Sequence, residues 1–336
     1  MKLATVSTDA GPLVAIENGE GTLIDLGTLL EAAGGAAADV AAARRGDLAA
    51  LIPQWQEIAP RLAQVNAPAT VVDVAATRWL PPVRPSKICC VALNNRTMDR
   101  DRISAPEHPA FFLKAPSSLI GHGEAIVVRP DYGLTHPEPE LAVVIGARLK
   151  DASPAEARAA IFGVTILNDV TSVGMRVEDH FHFRFALPDD EATAGAPGGF
   201  RTVEHHTTYA GRYKSADTFG PLGPVIVTAD EMGDPDDLAI SCTVDGELVQ
   251  EDRTSSYRYG TAEVVSFISR YQTLLPGDVV SMGTAIGTGR APHRPLASAD
   301  LRARPSTVSI TIEGVGTLTN TVTLEGSFPG REPQRP

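Results

Sequence analysis

The stretch of this chain with the most evident chemical potential is His136-Pro137-Glu138-Pro139-Glu140, which runs directly into the apolar Leu141-Ala142-Val143-Val144-Ile145. In an extended backbone, residues two apart share a face, so Glu138 and Glu140 can aim at one point while the strand enters a core. Two carboxylates that close repel each other unless something compensates. A hard divalent cation does so, and Mg2+ characteristically takes one or two carboxylates together with water and substrate oxygens. The other reading is a solvated strand start with two surface glutamates, since charged residues usually sit exposed. Further on, an apolar run from residue 161 to 168 ends at Asp169, in a place where turn aspartates are common. Lys214 follows, shortly before Asp217-Thr218-Phe219-Gly220. The order of these features, more than any one of them, points to a single site.

Together they resemble the fumarylacetoacetate hydrolase superfamily over roughly residues 84–322. Glu138-Pro-Glu140-Leu-Ala-Val-Val-Ile-Gly146 resembles the family's metal-binding strand, and Asn168-Asp169-Val170-Thr171 the segment giving a third metal carboxylate. Phe112-Leu113-Lys114-Ala115-Pro116 resembles one of its early strands, and Tyr213-Lys214-Ser215 its lysine segment beside the metal. Leu275-Pro276-Gly277-Asp278 through Gly283-Thr284 resembles the strand whose threonine meets the substrate carboxylate. The resemblance implies Mg2+ held by Glu138, Glu140 and Asp169, with Mn2+ or Ca2+ as alternatives. It further implies Lys214 as a catalytic group, Thr284 and Gly283 at the substrate, and a homodimer. The implied activity is hydrolysis of a C–C bond in a small 2-oxo or 1,3-dicarbonyl acid, through an enolate stabilised by Lewis-acid charge. The same stabilisation serves an isomerase, a decarboxylase or a dehydratase, and a non-catalytic metabolite-binding protein is the alternative outside enzymes.

Two departures bear on the reaction. The family's hydrolases carry a His-x-x-Glu pair soon after the Leu-Asn that corresponds to Leu93-Asn94; here Met98 and Asp101 stand in those places. Methionine accepts no proton, and general base help is ordinarily worth about a hundredfold or more. The family's arginine position is Val173, with Arg176 one turn on to supply the charge to substrate. Replacement bases are sought between residues 175 and 187, where His180 and His182 alternate with Phe181, Phe183 and Phe185 as in a substrate lid. A docked structural loop is the alternative there. His136 is placed either to orient the metal shell or to stabilise a turn, His122 lies in a turn, and the adjacent His205-His206 are expected at the surface. The glycine-rich run from Gly283 to Gly289 lacks dinucleotide-fingerprint spacing, with Pro292 and Pro295 where a helix would begin.

These residues need a scaffold, and the pattern is β-rich. Short strands are expected at residues 2–6, 13–16, 22–26, 88–93, 110–114, 140–145, 164–168 and 225–228. Asp245-Gly246 marks a type I′ hairpin turn, and a second hairpin spans residues 307–323. Helices are expected at 29–44, at 48–65 with Pro53 and Pro60 against it, and at 262–271. Ser153-Pro154-Ala155-Glu156 combines an N-cap, a first-turn proline and a capping-box glutamate. The prolines between Trp79 and Pro85 suggest a boundary. The fold expected is therefore α+β and β-rich: a small N-terminal α+β domain at 1–80, a catalytic domain of mixed β-roll or sandwich type at 81–328, and a flexible tail at 329–336.

The 336 residues carry 29 basic and 41 acidic side chains, a net charge of −12. That balance opposes attraction to nucleic acid and to anionic membranes. Three cysteines without Cys-x-x-Cys spacing indicate neither a disulfide framework nor a structural zinc site. No apolar stretch approaches the roughly 20 residues that cross a bilayer. A cytoplasmic enzyme whose partner is a small carboxylate substrate fits these limits.

Overall fold

The computed structural model describes residues 1–18, 21–66, 70–100, 103, 105–188, 200–287 and 299–326. Asp101, the later part of the glycine-rich run and the expected tail lie outside the described residues.

The scaffold is β-rich, with helices packed against both faces of its main sheet. Its main sheet has twelve strands, with Gly220–Thr228, Ile161–Asn168, Pro139–Ile145, Val279–Ser281, Ile88–Ala92 and Ala110–Lys114 side by side in that order. Pro139–Ile145 and Ile161–Asn168 are buried along their whole length, which is why they read as near-continuous apolar runs. Alternation sends their side chains to two different cores. Leu141, Val143 and Ile145 pack with Ile240, Val308 and Ile310 of a second, five-stranded sheet and with Val264 and Ile268 of the helix Thr261–Tyr271. Ala142 and Val144 pack on the other face with Leu30, Leu48, Leu51 and Trp55 of the N-terminal helices. Glu140 and Glu138 continue this second parity beyond the end of the apolar run.

The N-terminal segment is bonded into the same sheet. Lys2 and Leu3 pair with Val227 and Ile226, and residues 5–7 pair with residues 78–80, so hydrogen bonds cross the proline-rich boundary. The run expected as one helix at 29–44 forms two, Leu26–Ala32 and Ala37–Ala43. Gly34 between them takes φ +63°, the left-handed conformation that ends a helix. Pro53 similarly turns the next run into Leu48–Leu51, a 3-10 turn and Trp55–Leu62. The Ser153 capping box forms as the sequence suggests. Asp245 and Gly246, at φ 51° and 79°, join Ala239–Val244 to Glu247–Arg253. Among the described residues, no helix is long and apolar enough to cross a membrane.

Residues 173–188 and 200–208 depart most from a sandwich. The short helix Val173–Glu178 leads into His180–Pro188, which among the described residues pairs with Phe200–Thr208 alone, as a separate two-stranded sheet.

Candidate metal and substrate site

The antiparallel register of the two central strands assembles the carboxylates. Pro139 lies opposite Asn168, so the next residues out, Glu138 and Asp169, face each other. The Asp169 amide donates to the Glu138 carbonyl at 3.0 Å, and the Glu138 amide donates to Asn168 Oδ1 at 2.9 Å. Glu140 arrives two residues along. Carboxylate oxygens of Glu138, Glu140 and Asp169 lie within 4.8 Å of one another.

The neighbouring strand holds the cluster from the other side. Ser281 pairs with Ala142, and the chain then runs antiparallel past the glutamates. The Ser281 hydroxyl donates to Glu140 Oε2, and the Gly283 amide donates to the same oxygen at 3.2 Å. Thr284 Oγ1 donates to Glu138 Oε2 at 2.7 Å and reaches Glu140 Oε1 at 3.1 Å. Gly283 has φ +93°, and a Cβ there would sit 3.0 Å from both Val91 O and Asn94 Cβ. A side chain is excluded where the backbone must approach the carboxylate.

Two lysines enter the cluster. Lys214 Nζ donates to Glu138 Oε2 at 2.7 Å and to Asp169 Oδ2 at 2.6 Å. Lys114, at the end of the Ala110–Lys114 strand and 1% exposed, donates to Asp169 Oδ1 at 2.8 Å and to the Lys214 carbonyl. Thr171 Oγ1 donates to Glu138 Oε1 at 2.8 Å. Three carboxylates thus meet two ammonium groups in a buried space.

The electrostatics follow. Burial disfavours the charge on Glu138, yet Lys214 and His136 outweigh it and hold the carboxyl down at about 2. Burial and the neighbouring Asp169 and Glu138 push Glu140 up to about 8. Burial also works against the charge of Lys214, but Asp169 and Glu138 overcome it and raise its pKa. A carboxyl that resists ionising beside two others marks a place short of positive charge. The oxygen-only donor set fits a hard divalent cation such as Mg2+, Mn2+ or Ca2+ and suits softer ions poorly.

The cluster forms one wall of a cavity of about 380 Å³. Other hollows, of about 600 and 570 Å³, are larger but hold none of these carboxylates; chemistry, not volume, identifies the site. Arg176, Thr284 and Lys214 all line the cavity, with Tyr213 and Met98. Arg176 is carried there by the helix that Ser172 caps through the Met175 amide. His136 also lines it, with Nε2 3.9 Å from Glu138 Oε1.

His180 and His182 are placed differently from a base in this cavity. Neither lines it; both are exposed, and strand alternation puts them together on one face of the two-stranded hairpin. Lys114 was not legible as a functional residue. A lysine closing a short apolar strand ordinarily reaches solvent, and only the packing of the Lys214 segment over it reveals the burial.

The family model described as fumarylacetoacetate (FAA) hydrolase C-terminal matches residues 87–323. The mitochondrial oxaloacetate tautomerase of Rattus norvegicus is 29% identical over 243 residues, 72% of this chain and 68% of the relative. Among solved structures, 5-carboxymethyl-2-hydroxymuconate delta-isomerase from Mycobacterium smegmatis is 29% identical, with TM-score 0.66 over 97% of this chain and 100% of the other. Maleylpyruvate hydrolase from Sphingobium sp. SYK-6, solved with manganese(II) and pyruvate, shares the fold at 23% identity and TM-score 0.69, over 96% and 99% of the two chains.

Proposed function

The chain belongs to the fumarylacetoacetate hydrolase family, and from that premise we propose a divalent-metal-dependent tautomerase or isomerase of a small 2-oxo acid. Glu138, Glu140 and Asp169 are the residues that hold the metal. A bound Mg2+ or Mn2+ supplies Lewis-acid charge where an enolate oxygen develops. The chain's own groups do the rest. Lys214 keeps a proton at Nζ and fixes Glu138 and Asp169 at their spacing. Arg176 brings a permanent positive charge to the cavity for a substrate carboxylate, and Thr284 offers a hydroxyl between the glutamates.

The observation that carries this reading over C–C hydrolysis is Met98 on the cavity wall. The resemblance puts a water-activating histidine at that position in the hydrolases, and a thioether cannot take a proton from water. Moving a proton between carbon and oxygen of an enolisable acid needs no hydrolytic water. Hydrolysis remains the second reading because one imidazole, His136, does line the cavity.

The discriminating experiment supplies the metal-loaded protein with enolic oxaloacetate and, separately, with acylpyruvates in D2O. The proposal expects metal-dependent loss of the enol absorbance and deuterium at C3, with no pyruvate released from the acylpyruvates. Stoichiometric pyruvate release, abolished by His136→Ala, overturns it in favour of hydrolysis.

A further inference from the structure

Half of the chain's eight histidines stand on one two-stranded hairpin, at His180, His182, His205 and His206. The register sorts them. His182 lies directly opposite His206, Arg184 opposite Glu204, and His180, two pairs nearer the roots, opposite Thr208. These residues share one face, while His205, paired with Phe183, belongs to the other. The result is a row of nitrogen donors and one carboxylate on an exposed surface.

The donors converge. Those of His182, Glu204 and His206 lie within 4.8 Å of one another. The rings of His182 and His206 stack 4.0 Å apart at 13°, so one imidazole turns about χ2 to bring both in-plane nitrogens onto a common ion, and His182 Nε2 is 3.6 Å from Glu204 Oε2. His206 Nδ1 is 3.3 Å from His180 Nε2, a hydrogen bond between the two rings that positions His206. Arg184 Nη2 holds the other Glu204 oxygen, Oε1, at 2.6 Å. That contact orients the carboxylate and leaves Oε2 toward the histidines, as a partner outside a coordination shell does.

We propose that this face is a second metal site, which takes a borderline divalent transition ion of the Zn2+ class through His182, His206 and Glu204, with water as fourth ligand. Imidazole donors suit Zn2+, Ni2+ and Cu2+, whereas the all-oxygen cluster suits Mg2+, Ca2+ and Mn2+. The two sites therefore sort ions by donor chemistry. An ion shared across the strands ties His182 to Glu204 and His206, in a hairpin that pairs with no third strand among the described residues; two-stranded sheets are marginal by themselves. Both roots of the hairpin carry cavity residues: Arg176 lies just before His180, and Tyr213 and Lys214 lie just after Thr208. Arg212 joins the roots through Glu178 at 2.6 Å and Asp179 at 2.8 Å.

The test uses the full chain, stripped by chelator and then given saturating Mg2+ to occupy the carboxylate site. Co2+, as a spectroscopic stand-in for Zn2+, is titrated in, and Zn2+ binding is followed by calorimetry. One equivalent of Co2+ with the intense visible bands of a four-coordinate ion, displaced by Zn2+, is expected. His182→Ala/His206→Ala weakens binding by more than about tenfold, while His205→Ala on the opposite face and Glu138→Ala/Asp169→Ala retain it. Equal binding by wild type and the histidine pair variant overturns the proposal. So does loss of the ion in the Glu138→Ala/Asp169→Ala variant, which would put it in the carboxylate site.

Discussion

The carboxylate cluster and the histidine face of the hairpin both gather potential metal ligands, but they are held in opposite ways. Glu140 and Asp169 are about 1% exposed, and hydroxyls, an amide and two lysines fix their oxygens. His182, Glu204 and His206 are exposed, and what aligns them is the pairing of two strands plus one arginine. In the first arrangement burial and neighbouring carboxylates keep Glu140 from ionising; in the second the donors stand in solvent. Burial is thus what sets the two groups of donors apart, and the difference is measurable.

The largest expected effect is on turnover. On the proposed reading, Asp169→Ala and Glu138→Ala each remove a metal ligand from the cavity wall, where electrostatic help is worth roughly 10²–10³ in rate. Steady-state assays at saturating Mn2+ should show that loss. The His182→Ala/His206→Ala variant, assayed in parallel, should stay within a few-fold of wild type; a comparable loss would mean the hairpin belongs to the catalytic machinery.

Next comes Lys114. Its ammonium is buried against Asp169, and breaking such a pair by removing one partner costs about 3–5 kcal/mol. Lys114→Ala should lower the urea midpoint accordingly. The exposed Arg184, paired with Glu204 at 2.6 Å, provides the contrast: Arg184→Ala should cost about 1 kcal/mol or less.

The pH dependence sharpens the same contrast. With Glu140 raised to about 8, the unfolded chain releases that proton above its ordinary carboxylate value while the folded chain keeps it. From about pH 4.5 to 8 this group therefore lowers stability by roughly 1 kcal/mol per pH unit. The depressed Glu138 acts outside this window, losing its contribution only as pH falls toward about 2. If Glu140 is a ligand as proposed, Mg2+ or Mn2+ must displace its proton, so the stabilisation the metal confers should grow from pH 5 to pH 8 in thermal melts. Glu140→Gln should flatten that rise, and a pH-independent metal effect in wild type would show that Glu140 is not a ligand.

What the sequence revealed follows the range over which each signal acts. The Asp245-Gly246 turn and the Ser153 capping box are set by neighbours a few residues away, and both formed as read. Glu138 and Glu140 were legible because alternation fixes their common face, and the family resemblance joined Asp169 to them. Lys114 was hidden because its burial depends on Lys214, a hundred residues on. His206 is the most instructive case. Adjacent histidines do diverge, as expected, but that argument stops at one strand. The partner that meets His206 is His182, across a register that no local pattern encodes.

The smallest effects lie at the hairpin, and their sign depends on the ion. Without transition metal, His182→Ala exchanges one exposed side chain for another, and such changes usually stay within about 0.5 kcal/mol. With Zn2+ at a hundred times its dissociation constant, linkage adds about 2.7 kcal/mol to whichever protein binds it in the folded state alone. Thermal melts of wild type and His182→Ala should therefore coincide in chelator and separate in Zn2+, with Mg2+ present throughout. Curves that separate already in chelator would mean the stacked imidazoles stabilise the hairpin by themselves; curves that coincide in both would remove the hairpin as a metal site.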